Sequence, residues 1–155
     1  MNQKKTAVLI LVVCLWMLFI FSFSAQPDGQ TNQLSLRVTQ KMIDLKILAL
    51  PDTMAPQSYL LLANRYIRKV AHFSLFMVLG FIVSQGIRLR VKNPVLVFVF
   101  ALLLCCIYAI SDEWHQMFVP GRNAEWTDVL IDSAGAFLGI LLSSMWSRIR
   151  AKREK

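Results

Sequence analysis

Ionisable and amide side chains gather where three apolar stretches of this sequence begin or end. Histidines and carboxylates can transfer protons or hold a divalent cation, and lysine and arginine side chains can bind phosphate. Such groups are costly inside a bilayer or at its edge, so together they favour a functional site. The candidate residues are Lys69, His72, Asp112, Glu113, His115, Gln116, Arg122, Asp128 and Asp132.

Each polar candidate also has a structural interpretation. Asp128 suits the positive end of a helix, and basic side chains near a membrane boundary reach for lipid phosphates. A histidine and a carboxylate can pair simply to reduce the cost of burial. Asp132 is the hardest to explain in this way, because it lies about one turn inside the last apolar stretch. A lone carboxylate there needs a partner such as Arg122 or His72.

Helical spacing places the polar residues of each stretch on the same side as small residues. His72 begins an i+4 series that reaches Gly80, and Asp132 shares a helix side with Gly135 and Gly139. The third stretch likewise leads through small residues to its polar end. Small residues let helices approach closely, so the three glycines are expected at helix contacts and the polar groups in one cluster.

The connection 111–127 carries most of the polar candidates. If the preceding helix continues past Ile110, Asp112 and Gln116 lie one turn apart, with His115 beside them. The tripeptide Val119-Pro120-Gly121 favours a tight turn that presents Arg122.

The chain has 155 residues, of which 56% are hydrophobic and 17% are charged, whereas soluble domains have about 25% charged residues. Four apolar runs, at about residues 6–23, 70–87, 94–110 and 128–146, are long enough to cross a bilayer as helices. A soluble enzyme is therefore excluded. No segment alternates apolar and polar residues, which excludes a transmembrane barrel. We predict an all-α membrane protein with four transmembrane helices.

The first apolar run has two interpretations. Its basic start at Lys4 and Lys5 and the small residues near Ser24 fit a cleaved signal peptide. The run is longer than the roughly 7 to 15 apolar residues usual in such a peptide, so we expect an uncleaved anchor. In either case its C-terminal end is expected outside the cell.

The distribution of basic residues predicts the orientation in the cell membrane. Segments 1–5, 88–93 and 147–155 carry two, three and five Lys and Arg against the single acid Glu154. Because basic residues accumulate in cytoplasmic loops, these segments and both termini are expected in the cytoplasm. Segments 24–69 and 111–127 are then extracellular. The net charge of +8 is thus explained without nucleic acid.

The extracellular segment 24–69 is expected to contain another kind of helix. Apolar residues recur loosely at helical spacing among basic ones from Leu34 to Leu48, as in an amphipathic helix lying at the membrane interface. Pro51 and Pro56 are expected to end it, and a further helix to lead from Gln57 into the second span. The three cysteines lie in apolar runs and indicate neither a disulfide framework nor a zinc site.

Four blocks of residues, in this order, resemble the VanZ-like family of small bacterial membrane proteins. The blocks are Lys69-Val70-Ala71-His72-Phe73, Ile110-Ser111-Asp112-Glu113-Trp114-His115-Gln116, Phe118-Val119-Pro120-Gly121-Arg122, and Asp128-Val129-Leu130-Ile131-Asp132-Ser133-Ala134-Gly135 with Gly139. The sequence departs from the family pattern at His115, and at Asp132, where Asn is common. Asp132 therefore requires either a protonated carboxyl or a charged partner.

The resemblance implies a single membrane domain over residues 1–155 and a role in the bacterial cell envelope. The family's named member is an accessory determinant of resistance to the glycopeptide teicoplanin. The resemblance assigns no catalytic roles, so it implies a site at the matching positions but no role for the individual residues.

Two functions of different class follow. In the first, the outer polar cluster binds a lipid head group, a cell-wall precursor or an amphiphilic glycopeptide, and contributes to teicoplanin resistance. In the second, the protein is a membrane-embedded enzyme that modifies a lipid-linked envelope substrate, with His115 or His72 as general base. No cofactor is predicted, although the carboxylates could hold a divalent cation. Membrane lipids are the expected partners, and the oligomeric state is left open.

Overall fold

The computed structural model describes residues 3–25, 28–45, 47, 56–122 and 124–153. Within these ranges every regular element is a helix and no strand is present. The helices are α1 (Gln3–Ser24), α2 (Asp28–Asp44), α3 (Pro56–Arg88), α4 (Pro94–Gln116) and α5 (Trp126–Arg153).

Four of the helices, α1, α3, α4 and α5, are long and apolar enough to cross a membrane, which confirms the predicted number of spans. The helices extend beyond the apolar runs that predicted them, because an apolar run marks only the part suited to hydrocarbon. α3 begins well before residue 70, and α4 continues past Ile110 to Gln116. α5 likewise begins at Trp126 and continues to Arg153.

The predicted amphipathic helix corresponds to α2, which packs on α3. It begins at Asp28, earlier than the apolar pattern from Leu34 indicated, and it ends at Asp44. The stretch around Pro51, where the helix was expected to end, lies outside the described residues.

α3 and α5 form the closest helix pair, because glycines let their backbones touch. A Cβ atom added to Gly80 would lie 2.2 Å from the backbone oxygen of Ala136, and one added to Gly139 only 1.9 Å from that of Met77. A Cβ on Gly135 would meet the α3 backbone at 2.2 Å. These are the three glycines that helical spacing placed at helix contacts.

α4 completes the core with its small side chains. Val97, Ala101, Cys105 and Ala109 follow one another at i+4 and are buried, and the last three pack in one cluster with residues of α3 and α5. The same face continues to Asp112, so a single buried stripe of α4 passes from apolar to charged. The core therefore leads directly into the polar cluster.

α1 lies at the margin of the bundle, and most of its apolar side chains are exposed. Hydrogen bonds attach it to α3 and α4. The Trp16 Nε1–H donates to the backbone oxygen of Leu75 at 3.0 Å, and the Tyr108 hydroxyl donates to that of Met17 at 2.6 Å. Its last residue, Ser24, is fully buried and reaches the polar cluster.

Candidate functional site

A polar cavity of about 260 Å³ opens at the end of the bundle where α3 enters and α4 ends. Its wall is formed by Asn64, Arg65, Arg68, Lys69, His72, Glu113, Gln116, Gly121, Arg122, Glu125, Asp128, Ile131 and Asp132. Four of these are Lys or Arg and four are Asp or Glu, so opposite charges line the cavity in equal number. Most of the candidates chosen from the sequence thus share one space.

Three helices supply the wall because each presents one polar side. On α3, Arg65, Lys69 and His72 recur at i+4 and i+3, so one face of the helix carries them all. On α5, Asp128 and Asp132 lie one turn apart. The end of α4 and the turn after it close the third side.

The rim of the cavity is a network of ion pairs between α3 and the start of α5. Lys69 donates to Asp128 and also to Glu125 Oε2, the latter at 3.1 Å. Arg65 pairs with the other carboxylate oxygen of Glu125. The hydrogen bond from Lys69 lowers the pKa of Glu125 below its usual value.

Glu125 is a site residue that the sequence analysis missed. Its backbone N–H donates to Glu113 Oε1 at 2.6 Å, so it also links the connection to α4. The sequence did contain a signal for Glu125, because it is an acid about one helical turn before Asp128 and so can lie on the same side. Only the approach of α3 shows that Glu125 pairs with Lys69.

The floor of the cavity is made by His72 and Asp132, with Asp112 directly behind them. Asp112 and Asp132 are each only 2% exposed. The Nδ1 atom of His72 lies 3.8 Å from Asp132 Oδ2, which is too long for a hydrogen bond. One potential ligand atom from each of the three residues lies within 4.8 Å of the others.

Asp112 is held in place from two sides. Its Oδ2 atom accepts hydrogen bonds from the Ser24 hydroxyl at 2.7 Å and from Gln116 Nε2 at 3.0 Å. Gln116 Oε1 in turn accepts from Arg122 Nη1 at 2.9 Å. Gly121, at φ 81°, makes the turn that brings Arg122 back onto the bundle, where it is 8% exposed.

His115 lies outside the cavity wall in the described part of the chain, unlike the arrangement expected from sequence. Its ring packs against that of Phe21 on α1, with the ring centroids 4.2 Å apart and the ring planes inclined by 38°. At 3.6 residues per turn, Glu113 and Gln116 lie to one side of Asp112 and His115 to the other. His72 is therefore the histidine of the cavity.

The cavity has two chemical parts. Its rim offers cationic donors suited to phosphate, of which Arg65 and Lys69 are paired with acids. Its floor offers two buried carboxylates and an imidazole, a set that can accept protons or hold a cation.

Four helices of membrane-spanning length, with a polar cavity between three of them, define a small multi-pass helical membrane protein. The family model described as VanZ/LLP1 matches residues 9–147, and the chain belongs to this family. The matched range contains most of the first apolar run, the whole of the other three, and the cavity. A search of curated proteins and a search of solved structures each gave no match.

Proposed function

We propose that this VanZ-like protein binds the phosphate-bearing head group of an envelope amphiphile in the polar cavity, with the cavity open to the outside of the cell membrane. The orientation is supported by charge. The basic segment 88–93 begins at the last residue of α3, and the basic segment 147–153 is the last part of α5. Both lie at the end of the bundle opposite the cavity. Basic segments of this kind favour the cytoplasmic side.

The observation that carries the proposal is the row of cations on α3 at the cavity mouth. Arg65, Arg68 and Lys69 all line the cavity. They precede the apolar run of this helix, so we expect them at the depth of lipid head groups. The Arg65 side chain is 64% exposed, so its guanidinium can meet a phosphate from solvent while one edge is held by Glu125.

The volume of the cavity favours a head group over a whole antibiotic. Pockets that enclose drug-sized ligands measure about 300–1,000 Å³. At about 260 Å³ this cavity accommodates a phosphate with a small polar attachment. A glycopeptide is far larger than a drug-sized ligand and would not be enclosed.

We infer that any contribution to teicoplanin resistance acts through the lipid or the cell-wall precursor rather than by enclosing the antibiotic. A head group held in the cavity is withdrawn from the surface on which an amphiphilic glycopeptide acts. Resistance would then depend on the same cations as head-group binding.

The binding test uses purified protein in neutral detergent with a short-chain polyprenyl phosphate or phosphatidylglycerol as probe. Arg65→Ala removes a partly exposed, charge-assisted contact worth about 1 kcal/mol, so we expect about fivefold weaker binding. Lys92→Ala is the matched control, since Lys92 is an exposed cation in the connection between α3 and α4, at the opposite end of the bundle from the cavity. Equal affinities for wild type and Arg65→Ala would contradict the proposal.

The cellular test is teicoplanin susceptibility in a sensitive host. Wild type and Lys92→Ala are expected to reduce susceptibility, and a Lys69→Ala, Arg122→Ala double variant, expressed in the membrane at the same level, is expected not to. If expression of wild type does not change teicoplanin susceptibility, the proposed contribution to resistance is refuted. Head-group binding would still be decided by the binding test.

A further inference from the structure

We propose that His72, Asp112 and Asp132 bind one divalent transition-metal ion at the floor of the cavity. The three residues come from α3, α4 and α5, so the ion would join the three helices that build the site. This proposal does not depend on the head group, because the ligand set is complete without one.

The first argument is that two buried carboxylate oxygens have nothing to bind. Within the described residues, the Oδ1 atoms of Asp112 and Asp132 are buried and accept no hydrogen bond. Both residues are 98% buried, and a buried charge without a partner is strongly destabilising. A cation between them would satisfy both oxygens at once.

The second argument concerns where the nearby cation acts. Lys69 is the ammonium group of the same helix face, and it is engaged at the rim by Glu125 and Asp128. At the floor, the Nδ1 atom of the His72 imidazole lies 3.8 Å from Asp132 Oδ2. Imidazole binds metals in its neutral form, so His72 would act as a ligand without adding charge. The ion would then balance the charge of the two carboxylates.

The third argument is the support behind Asp112. Ser24 and Gln116 both donate to its Oδ2 atom, which fixes the plane of the carboxylate and leaves Oδ1 for another partner. Carboxylates that bind metals are commonly held by hydrogen bonds in this way. The chain from Arg122 through Gln116 to Asp112 extends that support to the cavity wall.

The distances fit after a small adjustment. Oxygen and nitrogen ligands lie about 2.0–2.2 Å from Zn²⁺, so two ligands of one tetrahedral ion are about 3.3–3.6 Å apart. The three potential ligand atoms already lie within 4.8 Å of one another. Side-chain rotations that move atoms by less than about 1 Å close the remaining gap.

The ligand types select the ion. One imidazole nitrogen with two carboxylates suits Zn²⁺ or Mn²⁺, whereas Mg²⁺ and Ca²⁺ favour oxygen ligands alone. Three protein ligands leave at least one coordination position, and His72 and Asp132 both line the cavity. Water or a phosphate oxygen can occupy that position.

The experiment uses tag-free, full-length protein in detergent, stripped with a chelator and then dialysed against Zn²⁺ or Mn²⁺ in phosphate-free buffer without added lipid. Bound metal is measured by mass spectrometry, and the melting temperature is measured with and without metal. We expect about one ion per chain and a higher melting temperature with metal.

Asp132→Asn and His72→Gln each remove one ligand, and each is expected to weaken metal affinity by at least about 100-fold. Asp44→Asn, an exposed carboxylate on α2, is the matched control and should bind as wild type does. Asp132→Asn should leave the metal-free protein at least as stable as wild type, because a neutral amide replaces a buried carboxyl whose Oδ1 atom has no hydrogen-bond partner.

Absence of stoichiometric metal from wild type would overturn the proposal, as would equal binding by wild type and both ligand variants. Because no phosphate or lipid is added, a negative result here leaves the head-group proposal standing, and a negative lipid-binding result leaves this one standing.

Discussion

A single methyl group added at Gly139 tests whether α3 and α5 touch through their backbones. The new Cβ would lie 1.9 Å from the backbone oxygen of Met77, and real Cβ atoms stay at least 3.0 Å away. The two helices must therefore separate by about 1 Å or more at this point, because a backbone atom cannot rotate aside as a side chain can.

The magnitude follows from two opposing effects. Overpacking of this kind costs about 3 kcal/mol, the upper end of its usual range, because the clash is with backbone. Replacing Gly by Ala within a helix returns about 1 kcal/mol through helix propensity. The net loss is about 2 kcal/mol, which for a chain of this size lowers the melting temperature by about 4–8 °C.

The matched control is Gly86→Ala on α3. The nearest atom to a Cβ there is Leu9 Cδ2 at 3.5 Å, which is an ordinary contact. This variant keeps the gain in helix propensity without a clash, so its melting temperature should equal or exceed that of wild type. Thermal unfolding of both variants in one detergent makes the comparison. If Gly139→Ala is as stable as Gly86→Ala, the close approach of the two helices is wrong.

The same separation should reach the cavity. His72 is on α3 and Asp132 is on α5, 3.8 Å apart across the helix pair that Gly139 allows to close. Separating α3 and α5 by about 1 Å would displace the metal ligands by several times the deviation of about 0.2 Å that metal–ligand distances tolerate. Gly139→Ala should therefore weaken metal binding and lower stability, whereas Gly86→Ala should leave metal binding unchanged.

Three further results are expected. Ser24→Ala removes a buried donor to the Asp112 carboxylate, so the melting temperature should fall by a few degrees and metal affinity by about tenfold; an unchanged melting temperature would refute that contact. Tyr108→Phe removes one of the hydrogen bonds that attach α1, so α1 should become more accessible to proteolysis or crosslinking while the cavity still binds its ligands. Glu125→Gln should destabilise the protein at neutral pH, because the paired carboxylate has a lowered pKa. The stability from such a group is present above its unfolded-state pKa and is lost as the pH falls through its lowered folded-state pKa, so wild type and Glu125→Gln should converge in acid; a difference that grows in acid would contradict this sign.

Sequence reasoning succeeded for properties that belong to one helix at a time. The length of an apolar run shows whether a helix can cross the hydrocarbon, so four spans could be counted before any packing was known. The period of small residues shows which side of a helix can approach a neighbour, so Gly80, Gly135 and Gly139 could be placed at contacts. The polar ends of the same stripes indicated that Asp112 and Asp132 belong to one region.

What required the tertiary structure was every choice between partners on different helices. His115 and Gln116 are neighbours on α4, yet His115 packs against Phe21 and Gln116 lines the cavity, because α1 and α3 approach that helix from different sides. Ser24 reaches Asp112 across 88 positions of sequence. The sequence determined the composition of each helix and which of its sides is polar. The packing of α3 against α5 decided which charged residues meet, since only the close approach of two helices brings side chains of both within bonding distance.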